Sequence, residues 1–324
     1  MDYKPQETKA VAEYLRSLDF CVDKVRQGST PLFYLLPDIH IPDFAHHHVR
    51  VIDNLVANMG LGIVGIEGGS GLVTQSTVDE FVDHWIEDKK KVGDRKDLVE
   101  EYLQERPLFK YGLEGSPVAL FGIEDDILHQ DHKTVIDIHD AFVSAYAEVL
   151  IDMAQFLGRD DNIQRYSSKK IVQSFIDSVE RACKRNIDPL LEKLSGRYSL
   201  PDYVQGWNFK LNLNKKEIPP VYEKNPFFKA VNRLREKIHY RRTAASLDIA
   251  LQETRDRELD QIAIVYGEGH LKEMREKLSS DGFSHIVISP SQEVIEAGVQ
   301  AIEWEKGKMD RFIRERVVPD EDKC

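Results

Sequence analysis

Apolar positions follow two rhythms along this chain. Short unbroken runs occur at 32–36 (LFYLL), 62–66 (GIVGI), 118–123 (VALFGI), 262–266 (IAIVY) and 285–288 (HIVI). Continuous rather than alternating runs of this length predict strands covered on both faces. Between them the rhythm changes to steps of three and four, which predicts helices around 49–59 and 271–278. Strand–helix alternation of this kind predicts an α/β fold: a mainly parallel central sheet flanked by helices.

The middle of the chain keeps only the helical rhythm. Val135, Ile138, Phe142, Ala145, Val149, Met153 and Phe156 mark one apolar helix face, and Ile171, Phe175, Val179 and Ala182 mark a second. A stretch rich in Pro, Gly and Asn follows at 195–227, and a further helix is predicted from Phe228 through Ala250. The expected organisation is an α/β core from 1–125 and 229–324, with a helical insertion and return loop at 126–228 acting as a lid. The tail from Val317 onward is expected to be frayed.

Composition narrows the class. With 324 residues, 41% of them hydrophobic, the chain can bury a substantial core. Forty-four Lys+Arg against 56 Asp+Glu give a formal net charge of -12. An acidic surface repels nucleic-acid phosphates and anionic lipid, so neither is an expected partner. No apolar run approaches a membrane span, and the first residues carry no basic stretch followed by an apolar one. Cys21, Cys183 and Cys324 are far apart and match neither a disulfide framework nor a zinc cluster. The expected location is the cytoplasm, and the expected partner a small-molecule or peptide substrate.

In parallel α/β sheets, ligands bind beyond the carboxyl ends of the strands. Asp38 and His40 follow the first run, Glu67 the second, Glu124, Asp125 and Asp126 the third, and Glu268 and His270 the fourth. Four strands thus deliver acids and histidines to one edge, with His40, Glu67 and His270 as the expected centre. The glycines at 68, 69, 71, 267 and 269 suit sharp turns or a close backbone approach, but neither set has dinucleotide or P-loop spacing. Two imidazoles and a carboxylate suit zinc, manganese or cobalt; they equally suit metal-free chemistry with a histidine as general base. Asp38, Glu124 and Glu268 are possible additional or supporting groups. So many carboxylates held together need a cation or a shared proton.

Other groups weigh less. His46, His47 and His48 open a helix and are expected mainly to face solvent. His129 and His132 read as surface residues. Arg241 and Arg242 precede the fourth strand, and one of them could clamp a substrate carboxylate or phosphate.

These motifs, in this order, resemble the TraB/Tiki family, related to erythromycin esterase and the ChaN-like proteins. The family carries two Gly-x-x-His motifs, a glutamate after the second strand and an arginine-bearing helix before the late motif. Gly267-Glu268-Gly269-His270-Leu271 resembles the late motif, Gly65-Ile66-Glu67 the glutamate segment, and Arg241-Arg242-Thr243-Ala244-Ala245 the arginine helix. The early motif departs, because Pro37-Asp38-Ile39-His40 has proline in place of glycine. The resemblance covers about 30–125 and 229–290. It implies a hydrolase acting through His40, Glu67 and His270, with Glu124 and Arg242 beside them, more firmly than it implies a metal; the clustered carboxylates are what lead to the expectation of a divalent metal (Mn, Co or Zn) on the first three. The family includes metal-dependent proteases and a metal-independent esterase. The competing readings are a non-catalytic protein holding a metal, haem or small ligand, and a metallophosphatase suggested by Asp38-Ile39-His40. The latter class needs GDxxD-like and GNHD/E-like segments, which the sequence lacks.

Overall fold

The structure is a computed structural model that describes residues 8–39, 42–157, 177–178, 181, 185–198, 226–291 and 294–296. His40, most of the second middle helix, most of the turn-rich stretch and the C-terminal tail lie outside the described residues. The chain divides into two compact units, one of Met1–Asp126 with Arg242–Cys324 and one of Ile127–Arg241.

The first unit is a mixed α/β fold. In chain order it contains α1 (Thr8–Ser17), β1 (Cys21–Arg26), β2 (Ser29–Asp38), α2 (Pro42–Met59), β3 (Ile63–Ile66), β4 (Ser70–Val73), α3 (Gln75–Lys89), α4 (Arg95–Glu105) and β5 (Ala119–Ile123). α5 (Asp126–Leu157) starts at the unit boundary and α6 (Pro226–Asp256) crosses it, followed by β6 (Gln261–Gly267), α7 (Leu271–Ser280) and β7 (Phe283–Ser289). The seven strands lie in the order β1-β7-β2-β6-β3-β5-β4. The five apolar runs of the sequence are the five central strands, β7-β2-β6-β3-β5, and all are parallel. The two edge strands, β1 and β4, pair antiparallel to β7 and β5.

The connections fix the layers. α2 leads from β2 to β3 across the place of β6, and α7 leads from β6 to β7 in the opposite direction across β2. Right-handed crossovers running opposite ways put their helices on opposite faces of the sheet. The packing agrees. Val51, Ile52 and Leu55 of α2 join Tyr34, Leu36, Val64 and Val265 in one core. Met274 and Leu278 of α7 join Phe33, Leu35 and Ile264 in the other, together with Leu247 and Ala250 of α6. Because the central strands are parallel, the residues after β2, β6, β3 and β5 emerge side by side at one edge.

In the second unit, Phe142 of α5 packs on Phe227 and Phe228 of α6, with ring centroids 5.6 and 5.9 Å apart. Asp131, buried, accepts hydrogen bonds from Arg197 Nε at 3.1 Å and Tyr198 Oη at 2.8 Å. Among the described residues no helix is long and apolar enough to cross a membrane.

Candidate functional site

At the carboxyl edge of the sheet, Glu67 follows β3, Glu124 follows β5, and Gly267 ends β6 ahead of a single 3-10 turn, Glu268–His270. α6 brings the neighbours Arg242 and Thr243, and Ser246 one turn further on, to the same place; all three are buried. Arg242 is the hub. Its Nε donates to both Glu124 oxygens at 3.0 Å, and its Nη2 donates to Glu67 Oε1 at 2.7 Å. Tyr266, the last bulky residue of β6, donates its hydroxyl to Glu124 Oε1 at 2.5 Å and lies 3.1 Å from Ser246 Oγ. Glu124, Arg242 and Tyr266 are all buried.

Glu67 is held from two sides, by Arg242 and by the Gly267 N–H, which donates to its Oε2 at 2.7 Å. Glycine at 267 leaves room for this close approach: a Cβ there would lie 2.9 Å from that oxygen. His270 is buried and held from behind, with Nδ1 2.5 Å from the Thr243 hydroxyl. Its ring stands edge-on to Tyr266, with centroids 4.6 Å apart at 85°. Its other nitrogen, Nε2, faces Glu67 Oε1 at 3.9 Å.

The electrostatics follow from this packing. Burial works against the charge on Arg242, but the Glu124 hydrogen bond and the charges of Glu124 and Glu67 outweigh it and raise its pKa. Burial, then the Glu124 charge, pushes the Tyr266 phenol well above its ordinary range, so it stays protonated and donates. Two carboxylates thus share one guanidinium in a low-dielectric setting, where such contacts are stronger than in water.

The other sequence candidates fall elsewhere. Glu268 and Asp126 are exposed, Asp125 is half-buried, and Asp126 accepts from Ser70 Oγ at 3.0 Å. The carboxylates that meet are therefore Glu67 and Glu124. Arg242 engages the protein's own carboxylates, while Arg241 sits in the second unit with its guanidinium 5.9 Å from the Tyr198 ring centroid. His132 lies beside His239 in that unit, with ring centroids 5.9 Å apart. The solvent-facing expectation for the histidine run needs correcting: His46 is exposed, His47 half-buried, and His48 0% exposed. His48 shares a face with Phe44, Val51, Ile52 and Leu55, all buried on α2, and the spacing of three and four was the signal for it. Thr243, Ser246 and Tyr266 escaped sequence reading because the first two look like ordinary helix polar residues and the third ends an apolar run.

A divalent ion fits this donor set poorly. Both oxygens of Glu67 already accept hydrogen bonds, and the charge of Glu67 and Glu124 is met by Arg242. Among the described residues no group of three or more His, Cys, Asp or Glu side chains is arranged to hold a metal, with His40 outside that set.

No family model matches the chain. No curated protein matches it either. Among solved structures it is similar to an erythromycin esterase mutant, EreC in its open conformation, at 12% identity and a TM-score of 0.26. The match covers 73% of this chain and 60% of that one, so the chain spans less than two thirds of the esterase's length.

Proposed function

We propose that this chain is a hydrolase of the TraB/Tiki-like type, acting on an ester or peptide bond, in which His270 and Glu67 activate water. The observation that carries the reading is the facing pair: His270 Nε2 and Glu67 Oε1 lie 3.9 Å apart, each held from behind by other groups. Two polar atoms at that separation can share one water about 2.8 Å from each. The motif order of the TraB/Tiki resemblance supports the same residues.

With Nδ1 protonated and donating to Thr243 Oγ1, Nε2 offers its lone pair to that water. The water oxygen attacks the acyl carbon as its proton passes to Nε2. The tetrahedral intermediate then collapses, the C–O or C–N bond breaks, and Nε2 returns the proton to the leaving group. The Glu67 carboxylate faces the imidazolium in between. Arg242 keeps Glu67 aimed, and Glu124 with Tyr266 holds Arg242. The step needs no metal.

The test is a panel of ester, peptide and phosphoester substrates with the wild type, Glu67→Gln and His270→Asn. Asn at 270 keeps a polar atom near Thr243 and removes the base. Hydrolysis of an ester or peptide, reduced roughly 10²- to 10⁴-fold in both variants, is the expected result. Variants as active as the wild type, or hydrolysis of no ester or peptide, would overturn the reading.

A further inference from the structure

The geometry points to His48 as a positioning residue for the site, acting through Asp38; the inference rests on the hydrolase reading for its kinetic readout only. His48 is fully buried on α2, and neither ring nitrogen has a hydrogen-bond partner among the described residues. Its Nε2 lies 3.6 Å from Asp38 Oδ1. A buried imidazole with both nitrogens unsatisfied is costly, and the rest of that helix face (Phe44, Val51, Ile52, Leu55) is apolar. A leucine there would complete the core without the cost. Stability therefore does not account for a histidine at 48, and what the ring points at does.

Asp38 ends β2, and its Cα is the register partner of Gly267. Gly267 is the residue whose N–H holds Glu67. A fixed Asp38 thus fixes the last rung of the β2–β6 ladder, and that rung carries the amide that aims Glu67 at His270. His48 Nε2–H donates to Asp38 Oδ1 when the site is loaded. Hydrogen bonds around a site are commonly long without substrate and close when it binds. His48 touches neither the reacting atoms nor Glu67, so its effect falls on kcat rather than on KM.

The experiment compares His48→Leu with His48→Gln in the full chain, on the ester or peptide hydrolysed in the panel. Gln places an amide N–H near the position of Nε2, and Leu places none. His48→Leu lowers kcat roughly 10- to 100-fold at unchanged KM, as expected when a group is displaced by a change remote from the chemistry. His48→Gln recovers most of that loss. Full kcat in the Leu variant, or a Gln variant no better than Leu, overturns the proposal. A second arm is independent of turnover. Nitrogen-15 NMR of the His48 ring is expected to show Nε2 protonated, with a resonance that moves in Asp38→Asn. An unprotonated Nε2, or no response to Asp38→Asn, overturns the pairing. If His48→Leu does not fold, the Gln variant and the NMR arm decide. If no ester or peptide is hydrolysed, the hydrolase reading fails and the NMR arm still judges the His48–Asp38 pair.

Discussion

Arg242 and Glu124 form a buried fork: Nε lies 3.0 Å from both carboxylate oxygens and Nη2 2.5 Å from Oε1, with the two residues 5% and 2% exposed. The same guanidinium also holds Glu67. Removing it takes away the counter-charge that both carboxylates share in a desolvated site. Arg242→Met is therefore expected to lower unfolding free energy by about 3–5 kcal/mol, the usual cost of breaking a buried pair by deleting one partner. Arg242→Lys restores charge without the fork and recovers only part of it. Urea denaturation at neutral pH measures both. A loss under about 1 kcal/mol for Arg242→Met, the range of an exposed ion pair, would show that the fork is weak.

Gly267→Ala tests the anchoring of Glu67. The added Cβ would lie 2.9 Å from Oε2, the oxygen that accepts the 267 N–H. The carboxylate must swing away, losing that bond and its place opposite His270. The backbone at this position has an ordinary φ of -50°, so alanine brings no conformational strain of its own. The expected outcome is a roughly 10²-fold fall in kcat with a modest change in unfolding midpoint. Equal losses in kcat and stability would mean that the glycine serves packing alone.

Much of this arrangement was readable in the sequence, and the gaps have physical causes. The five central strands announced themselves because a strand covered on both faces needs apolar residues at every position. The edge strands did not: CVDKVR and SGLV are short and partly exposed, so no apolar run marks them. The convergence of Glu67, Glu124 and His270 followed from their places after parallel strands. The residues alone left Arg241 and Arg242 open, because neighbours on a helix point about 100° apart, and only the resemblance favoured Arg242. Tyr266 was read as core because its ring is core, while its hydroxyl belongs to the site. The charge argument located the acids and asked for a cation beside them; in the structure α6 brings Arg242 to Glu67 and Glu124.

His47 predicts a pH dependence of stability. Burial, with the nearby His48 and Arg50 charges, lowers its pKa from 6.5 to about 4. A histidine held neutral in the folded chain and protonated in the unfolded chain favours unfolding in acid. The unfolded state binds more protons between pH 6.5 and 4, so stability is full above the upper value and falls as pH drops towards the lower one. Discounted for partial exposure, the effect is about 1–2 kcal/mol. His47→Gln keeps a polar tip that does not titrate, and it should flatten this part of the stability–pH curve. An unchanged slope in the variant would assign the acid sensitivity to other groups.

Metal removal separates the two forms of the hydrolase reading. The case for a divalent ion on His40, Glu67 and His270 was that clustered carboxylates need a cation. Arg242 is a cation, and it occupies both Glu67 and Glu124. A metal placed on Glu67 would sit close to the guanidinium and would have to displace it or bear its repulsion. Activity is therefore expected to survive exhaustive chelation, and readdition of manganese, cobalt or zinc to leave it unchanged. The wild-type unfolding midpoint should be equally indifferent to these ions, because an ion that does not bind the folded state cannot stabilise it. Arg242→Met gives the converse. With the guanidinium gone, Glu67 and Glu124 lose the cation they share, and the midpoint of this variant should rise on adding the ion. A wild-type enzyme inactivated by chelation and revived by one of the three metals would reverse the assignment, making Arg242 a neighbour of a metal centre rather than its substitute.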